Sequence, residues 1–241
     1  MHPDENDQLL IALRAAARTL SGRRSIRDLE GTLGQIVASA VQTINSVDAA
    51  SISMTQHGRV ETRHPTSEDI RKLDETQSEL CEGPCISAIE DPPASGIVVA
   101  QDLGGGDADR WPRFAPRAVG AGYQGLMSTQ LSTGDGVRGA LNLYSRTPDA
   151  FDEHCRTLAG LFGVQAALLL YGTNQAMHLQ KAVDSRDLIG QAKGILMQRF
   201  SVDDETAFQM LVSSSQDTNM KLTTVARWLT EGTTKTPPAE G

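Results

Sequence analysis

"SRDLIGQAKGILMQRF", Ser185–Phe200, decides how the chain is read. Ile189, Ala192 and Leu196 recur at helical spacing, with Ile195 beside them, and predict a helix. Yet Gly194 stands inside it, where a glycine costs about 1 kcal/mol relative to alanine. The small pair Ala192 and Gly194 predicts close approach of another backbone, a packed helix or RNA, with packing of a neighbouring helix the expected reason for Gly194. Lys193 follows Ala192 by about 100° round the axis, at the edge of the apolar face. It is the only lysine between Lys181 and Lys221.

Upstream, residues 151–200 contain no proline. The pattern Leu158, Leu161, Phe162, Gln165, Leu168, Leu169 and Leu179 predicts a helix longer than most in globular proteins, one that connects domains or dimerises. Gly172 and Gln175 fall in its seam, which argues against a long regular coiled coil. Downstream, Asp203 caps a short helix with Ala207, Met210, Leu211 and Ser214 on one face. A second short helix carries Leu222, Val225, Ala226 and Leu229, with Gly232 as its expected end and residues 233–241 as a disordered tail.

The first part of the chain is mixed. Helices are expected from Leu9 to Leu20, from Ser25 to Ile44, and after Thr66, the expected cap of "SEDIRKLDETQSEL". "DAASISMTQ", "GRVETRHP" (ended by Pro65), "GIVVAQDL", "QGLMSTQLST" and "VRGALNLYS" read as strands, the last two joined by a "GDG" hairpin. The fold class is therefore α+β: a mixed antiparallel sheet with flanking helices, a long connecting helix, and a C-terminal all-α module of three helices. The expected boundaries are 1–173, 174–232 and the tail.

Composition bounds the function. Of 241 residues 39% are hydrophobic but only 4% aromatic, so aliphatic residues and alanine must fill the core. A net charge of −8 excludes nonspecific nucleic-acid binding by the chain as a whole, and any such site must be a local patch. The acidic start "MHPDENDQ" and the short apolar run "VQAALLLYG" lead us to expect a cytoplasmic protein with no membrane segment. Three cysteines fit reduced thiols.

The C-terminal module resembles the ANTAR family through "IGQAKGILM" (189–197), "DDETAFQML" (203–211), Ser215 and "NMKLTTVA" (219–226). The portion from Leu9 to Tyr171 is similar to GAF domains in "EGPC" (82–85), "DRWPRFA" (109–115) and "GALNLYS" (139–145). The resemblance implies a signalling protein and not an enzyme. Its GAF domain would sense a ligand, a redox state or a partner. Its ANTAR module, as a homodimer, would bind leader-RNA hairpin loops so that a terminator does not form.

Lys193, Arg186, Arg199, Lys221 and Arg227 are the candidate RNA-binding residues, because phosphate contact requires cations. Arg186 and Lys193 are seven apart and fall on roughly one side of a helix. From Asp184 to Gly232, however, five basic residues face seven acids, and Val212 stands where the family often has arginine. These features support a second reading, an interaction module that dimerises or docks a protein without RNA.

The candidate sensor residues are Cys85, Cys81, Arg110, Trp111 and Asn142. Pro84 suits the first turn of a helix, so Cys85 would lie at a helix N-terminus, where a thiol pKa can fall; the alternative is a buried, inert thiol. Arg110 and Trp111 read either as a pocket rim or as a loop anchored by one tryptophan. Asn142 is followed by Leu143 and not by lysine, which argues against cyclic nucleotides. No metal spacing is present, and no cofactor is identified. A third reading, reduction of free methionine sulfoxide by the cysteines, rests on a GAF subfamily.

Overall fold

The computed structural model describes residues 14, 28–56, 59–132 and 138–233. The expected first helix, the "GDG" turn and the tail beyond 233 lie outside them. The chain divides into two compact units, 1–173 and 174–241.

The first unit is built on a five-stranded antiparallel sheet: β1 (Ala49–Gln56), β2 (Arg59–Arg63), β3 (Ile97–Ala100), β4 (Gly125–Gln130) and β5 (Gly139–Ser145), in the order β2-β1-β5-β4-β3. Every residue of β5 is buried, so both faces of the sheet are covered. Leu141 and Leu143 point to one face, together with Ile52 and Met127. That face is covered by α1 (Leu29–Thr43), through Leu33, Ile36 and Ala40, and by the first turns of α5 (Glu153–Phe200), through Leu158, Phe162 and Leu169. Ala140 and Tyr144 point to the other face, where α2 (Glu68–Leu80), α3 (Pro84–Glu90) and α4 (Ala115–Gly120) supply Ile70, Leu73, Ala88, Ile89 and Ala118.

One local expectation changes and one holds. The cap of α2 is Ser67, whose Oγ accepts from the Ile70 N–H; Thr66 instead turns its Oγ1 to the Ala50 N–H and ties the helix entry to β1. The "GLMSTQ" and "GALNLYS" strands do pair, with Ser128 opposite Asn142. Among the described residues α5 is the one helix apolar enough to cross a bilayer by length and composition. Half of the qualifying window is buried inside the protein, as in a core helix.

The second unit is a three-helix module. The last turns of α5 pack with α6 (Asp204–Thr218) and α7 (Leu222–Thr233) around Ala192, Leu196, Ala207, Leu211, Val225 and Ala226. Ala192, Ala207 and Ala226 are completely buried, and their small side chains let the three backbones come together. Asp203 caps α6 through its Oδ1 and the Thr206 N–H. The α6–α7 turn has Asn219 at φ 52°, a left-handed conformation that asparagine tolerates, and the Ser215 hydroxyl donates to the Met220 carbonyl across it at 2.6 Å. α7 runs through Gly232 to Thr233, so that glycine does not end it.

The close-packed glycine is not the one expected. Among the described residues, a Cβ on Gly194 would meet nothing within 4 Å; none of them packs there. The tight position is Gly163, earlier on the same helix, where a Cβ would overlap the Thr129 side chain on β4. Gly163→Ala and Gly194→Ala therefore add the same atom to one helix with opposite results. In urea denaturation followed by circular dichroism, Gly163→Ala is expected to lose about 1–2 kcal/mol. Gly194→Ala is expected to gain about 0.4–1 kcal/mol. A loss at Gly194 would contradict the open surface there.

Candidate functional site

Alternation along the strands of the first unit puts a polar strip inside its core. Ser51 and Ser53 of β1, Ser128 of β4, and Asn142 and Tyr144 of β5 share the face turned to α2 and α3, and all are buried. From α2, Asp74 and Gln77 reach down onto the strip, three residues apart on the buried side of the helix. Asp74 Oδ1 accepts from the Tyr144 hydroxyl at 2.6 Å and from Asn142 Nδ2 at 3.2 Å. Asn142 Nδ2 also lies 2.9 Å from Ser53 Oγ, and its Oδ1 accepts from Ser128 Oγ. Gln77 donates from Nε2 to the Tyr144 oxygen and accepts the Cys85 N–H at 3.0 Å, which carries the network to the start of α3. Gly83, at φ 138°, lets the chain pass against the Gln77 amide, where a Cβ would collide.

Among the described residues, no cation enters this network. Asp74 Oδ2 is buried without a hydrogen-bond partner. Burial pushes the Asp74 carboxyl up to about 6, although Ser51, Tyr144, Thr62 and Asn142 pull the other way. Burial and the Asp74 charge push the Cys85 thiol up to about 12. Cys85 does sit in the first turn of α3, but burial outweighs a seven-residue helix, and of its two readings the buried thiol describes it rather than the lowered pKa.

The other sensor candidates lie outside this core. Cys81, Arg110 and Trp111 line an open concavity of about 690 Å³ beside α3, with Ile86, Glu90 and Asp91. The Arg110 guanidinium lies 4.2 Å from the Trp111 ring centroid and donates to Asp107 at 2.7 Å and to the Val99 carbonyl. Trp111 is 5% exposed and donates from Nε1 to Ser87 Oγ. Arg110 and Trp111 are thus both rim and anchor, whereas Cys85 and Asn142 belong to the buried network. Among the described residues no cluster of His, Cys, Asp and Glu could hold a metal ion.

In the second unit, Arg186 and Lys193 line one concavity of about 880 Å³ with Ile189, Gly190 and Phe208. Lys193 Nζ is 2.6 Å from Asp204 Oδ1, at the start of α6, and 5.9 Å from the Phe208 ring centroid. Arg186, Arg199, Lys221 and Arg227 are exposed and enter none of the ion pairs among the described residues. Arg199, thirteen residues after Arg186, projects about 220° away round α5. The five cations therefore do not form one patch.

The buried carboxylate is the part of the site that a pH titration reads. The unfolded value is 3.8, the folded one about 6. Between them the folded protein keeps a proton that the unfolded chain has lost, so stability falls as pH rises through this window, by about 3 kcal/mol. Asp74→Asn keeps an acceptor for Tyr144 and Asn142 and does not titrate. Urea midpoints of the two proteins, compared from pH 4 to 7, are expected to diverge in favour of the variant as pH rises. Parallel curves would show that no buried acid titrates there.

Solved structures share the fold of the chain. Free methionine-R-sulfoxide reductase from Neisseria meningitidis superposes with a TM-score of 0.52 at 13% identity, covering 73% of this chain and 95% of that one. A bacteriophytochrome from R. palustris gives 0.52 at 13%, covering 78% and 42%. The GAF domain of an Acinetobacter phosphoenolpyruvate-protein phosphotransferase gives 0.50 at 14%, covering 73% and 97%. No curated protein matches. An ANTAR-domain family model matches residues 177–229, and a GAF-domain model matches residues 26–170, more than half of the chain. The chain belongs to the GAF domain family and carries an ANTAR domain behind it.

Proposed function

We propose that this GAF-containing regulator, with its RNA-binding antitermination module, controls transcription in the cytoplasm in response to a signal. In this reading residues 1–173 sense a small molecule or a partner protein. Residues 174–232 bind hairpin loops of a leader transcript, as a dimer, and keep a terminator from forming. The ANTAR match over 177–229, with Arg186 and Lys193 at one concavity, carries the reading. Homodimerisation is supported by Val164, Leu168 and Tyr171 of α5, spaced four and three apart and 58%, 50% and 45% exposed. The raised thiol pKa of Cys85 speaks against redox signalling or methionine sulfoxide reduction through that residue.

One observation favours the second reading, an interaction module without RNA: Lys193 is already paired with Asp204. The pair is small in energy, since its side chains are 20% and 69% exposed and such contacts are worth about 0–1 kcal/mol. A phosphate could displace the carboxylate. Fluorescence anisotropy with a labelled hairpin RNA separates the readings. Lys193→Ala is expected to weaken binding by roughly tenfold, the worth of a hydrogen bond to a charged group. Asp204→Asn frees the lysine and is expected to tighten binding by up to about fivefold. Affinity should fall steeply with salt. Absence of salt-sensitive binding by the full chain would leave the interaction module as the reading.

A further inference from the structure

α7 spends its apolar face on the module core: Leu222, Val225, Ala226 and Leu229 all pack inward. Trp228 does not. It is 76% exposed, the most exposed of the large hydrophobic side chains among the described residues. The chain has only one other tryptophan, Trp111, which is 5% exposed and hydrogen-bonded to Ser87. The indole of Trp228 therefore contributes little to the fold, in a chain that is otherwise sparing with aromatic residues.

Its surroundings indicate what it meets. Lys221, seven residues earlier, stands just before α7, where its carbonyl accepts the Thr224 and Val225 N–H groups that open the helix. Arg227 adjoins Trp228 in sequence. Both cations are exposed and enter no ion pair among the described residues, in contrast to Lys193. Glu231, the acid three residues on, has an interaction of its own. An exposed ring with one exposed cation beside it in sequence and another at the start of its helix suits a strand of nucleic acid whose bases are not paired: the ring takes a base face and the cations take phosphates. A protein partner would give the ring a pocket and would use the two exposed cations only where its own surface is acidic.

Resting on the RNA-binding reading, we propose that Trp228 is a base-stacking residue of the module, which takes an unpaired nucleotide of an RNA loop while Lys221 and Arg227 hold the adjoining phosphates. This places a second contact surface on α7, apart from the concavity at Arg186 and Lys193. Its preference is for unpaired over paired RNA, because only an unpaired base offers a free face.

The two tryptophans make the test direct. The full-length chain is titrated with a hairpin RNA carrying an unpaired loop, and with a fully paired duplex of equal length. Tryptophan emission and anisotropy are both read. The hairpin should quench the emission of Trp228, and Trp228→Phe should remove the quenchable part while keeping most of the affinity. Trp228→Ala, at a side chain 76% exposed, should weaken hairpin binding roughly five- to hundredfold and leave duplex binding unchanged. Equal hairpin binding by wild type and Trp228→Ala would overturn the stacking assignment while leaving the RNA reading intact. A change of mass in light scattering with unchanged RNA affinity would overturn it too, and assign the face to a contact between copies. No RNA binding by wild type would overturn both readings.

Discussion

A central strand with no exposed residue constrains everything around it in the first unit. β5 is buried on both faces, so the sheet needs a layer of helices on each side. Period-two alternation then sorts its residues without freedom: Leu141 and Leu143 to α1 and α5, Asn142 and Tyr144 to α2 and α3. Once Asn142 faces inward it must be hydrogen-bonded, and the serines of both neighbouring strands, with Asp74, provide the partners. The position of α2 follows from this polar strip as much as from its leucines.

The order of elements was legible because local signals and burial agreed. Pro65 ends its strand, Asp203 caps its helix, and the proline-free stretch before Phe200 is one helix. The sensor interior was not legible, for a physical reason. Asp74 and Gln77 lie in a helix rich in acids and polar residues, where a solvated position is the ordinary expectation. Their burial depends on a sheet formed by residues far along the chain. A signal did exist: Asn142 in the middle of an apolar strand, and Ser51 and Ser53 alternating with Ile52 and Met54. Cys85 shows where the limit lies: a buried thiol is expected for it, but the Asp74 charge that adds to its shift comes from another helix.

The cations of the module show a different limit. Spacing on one helix correctly joins Arg186 to Lys193, but Asp204 reaches Lys193 from the next helix, across a turn whose geometry no single-helix projection contains. Gly194 belongs here too. Its neighbour Ala192 does the close packing, while the glycine faces away from the core and meets none of the described residues.

Three fully buried alanines at the centre of the module have a thermodynamic consequence. Small side chains draw helices together but remove little apolar surface from water, so the unit rests on a thin hydrophobic margin. A ligand that binds only the assembled helices adds its own binding free energy to that margin, about 2.7 kcal/mol at a hundredfold excess over the dissociation constant. In such a unit, occupancy and foldedness are two descriptions of one equilibrium, and the melting temperature of the module becomes a gauge of how much of its ligand is present.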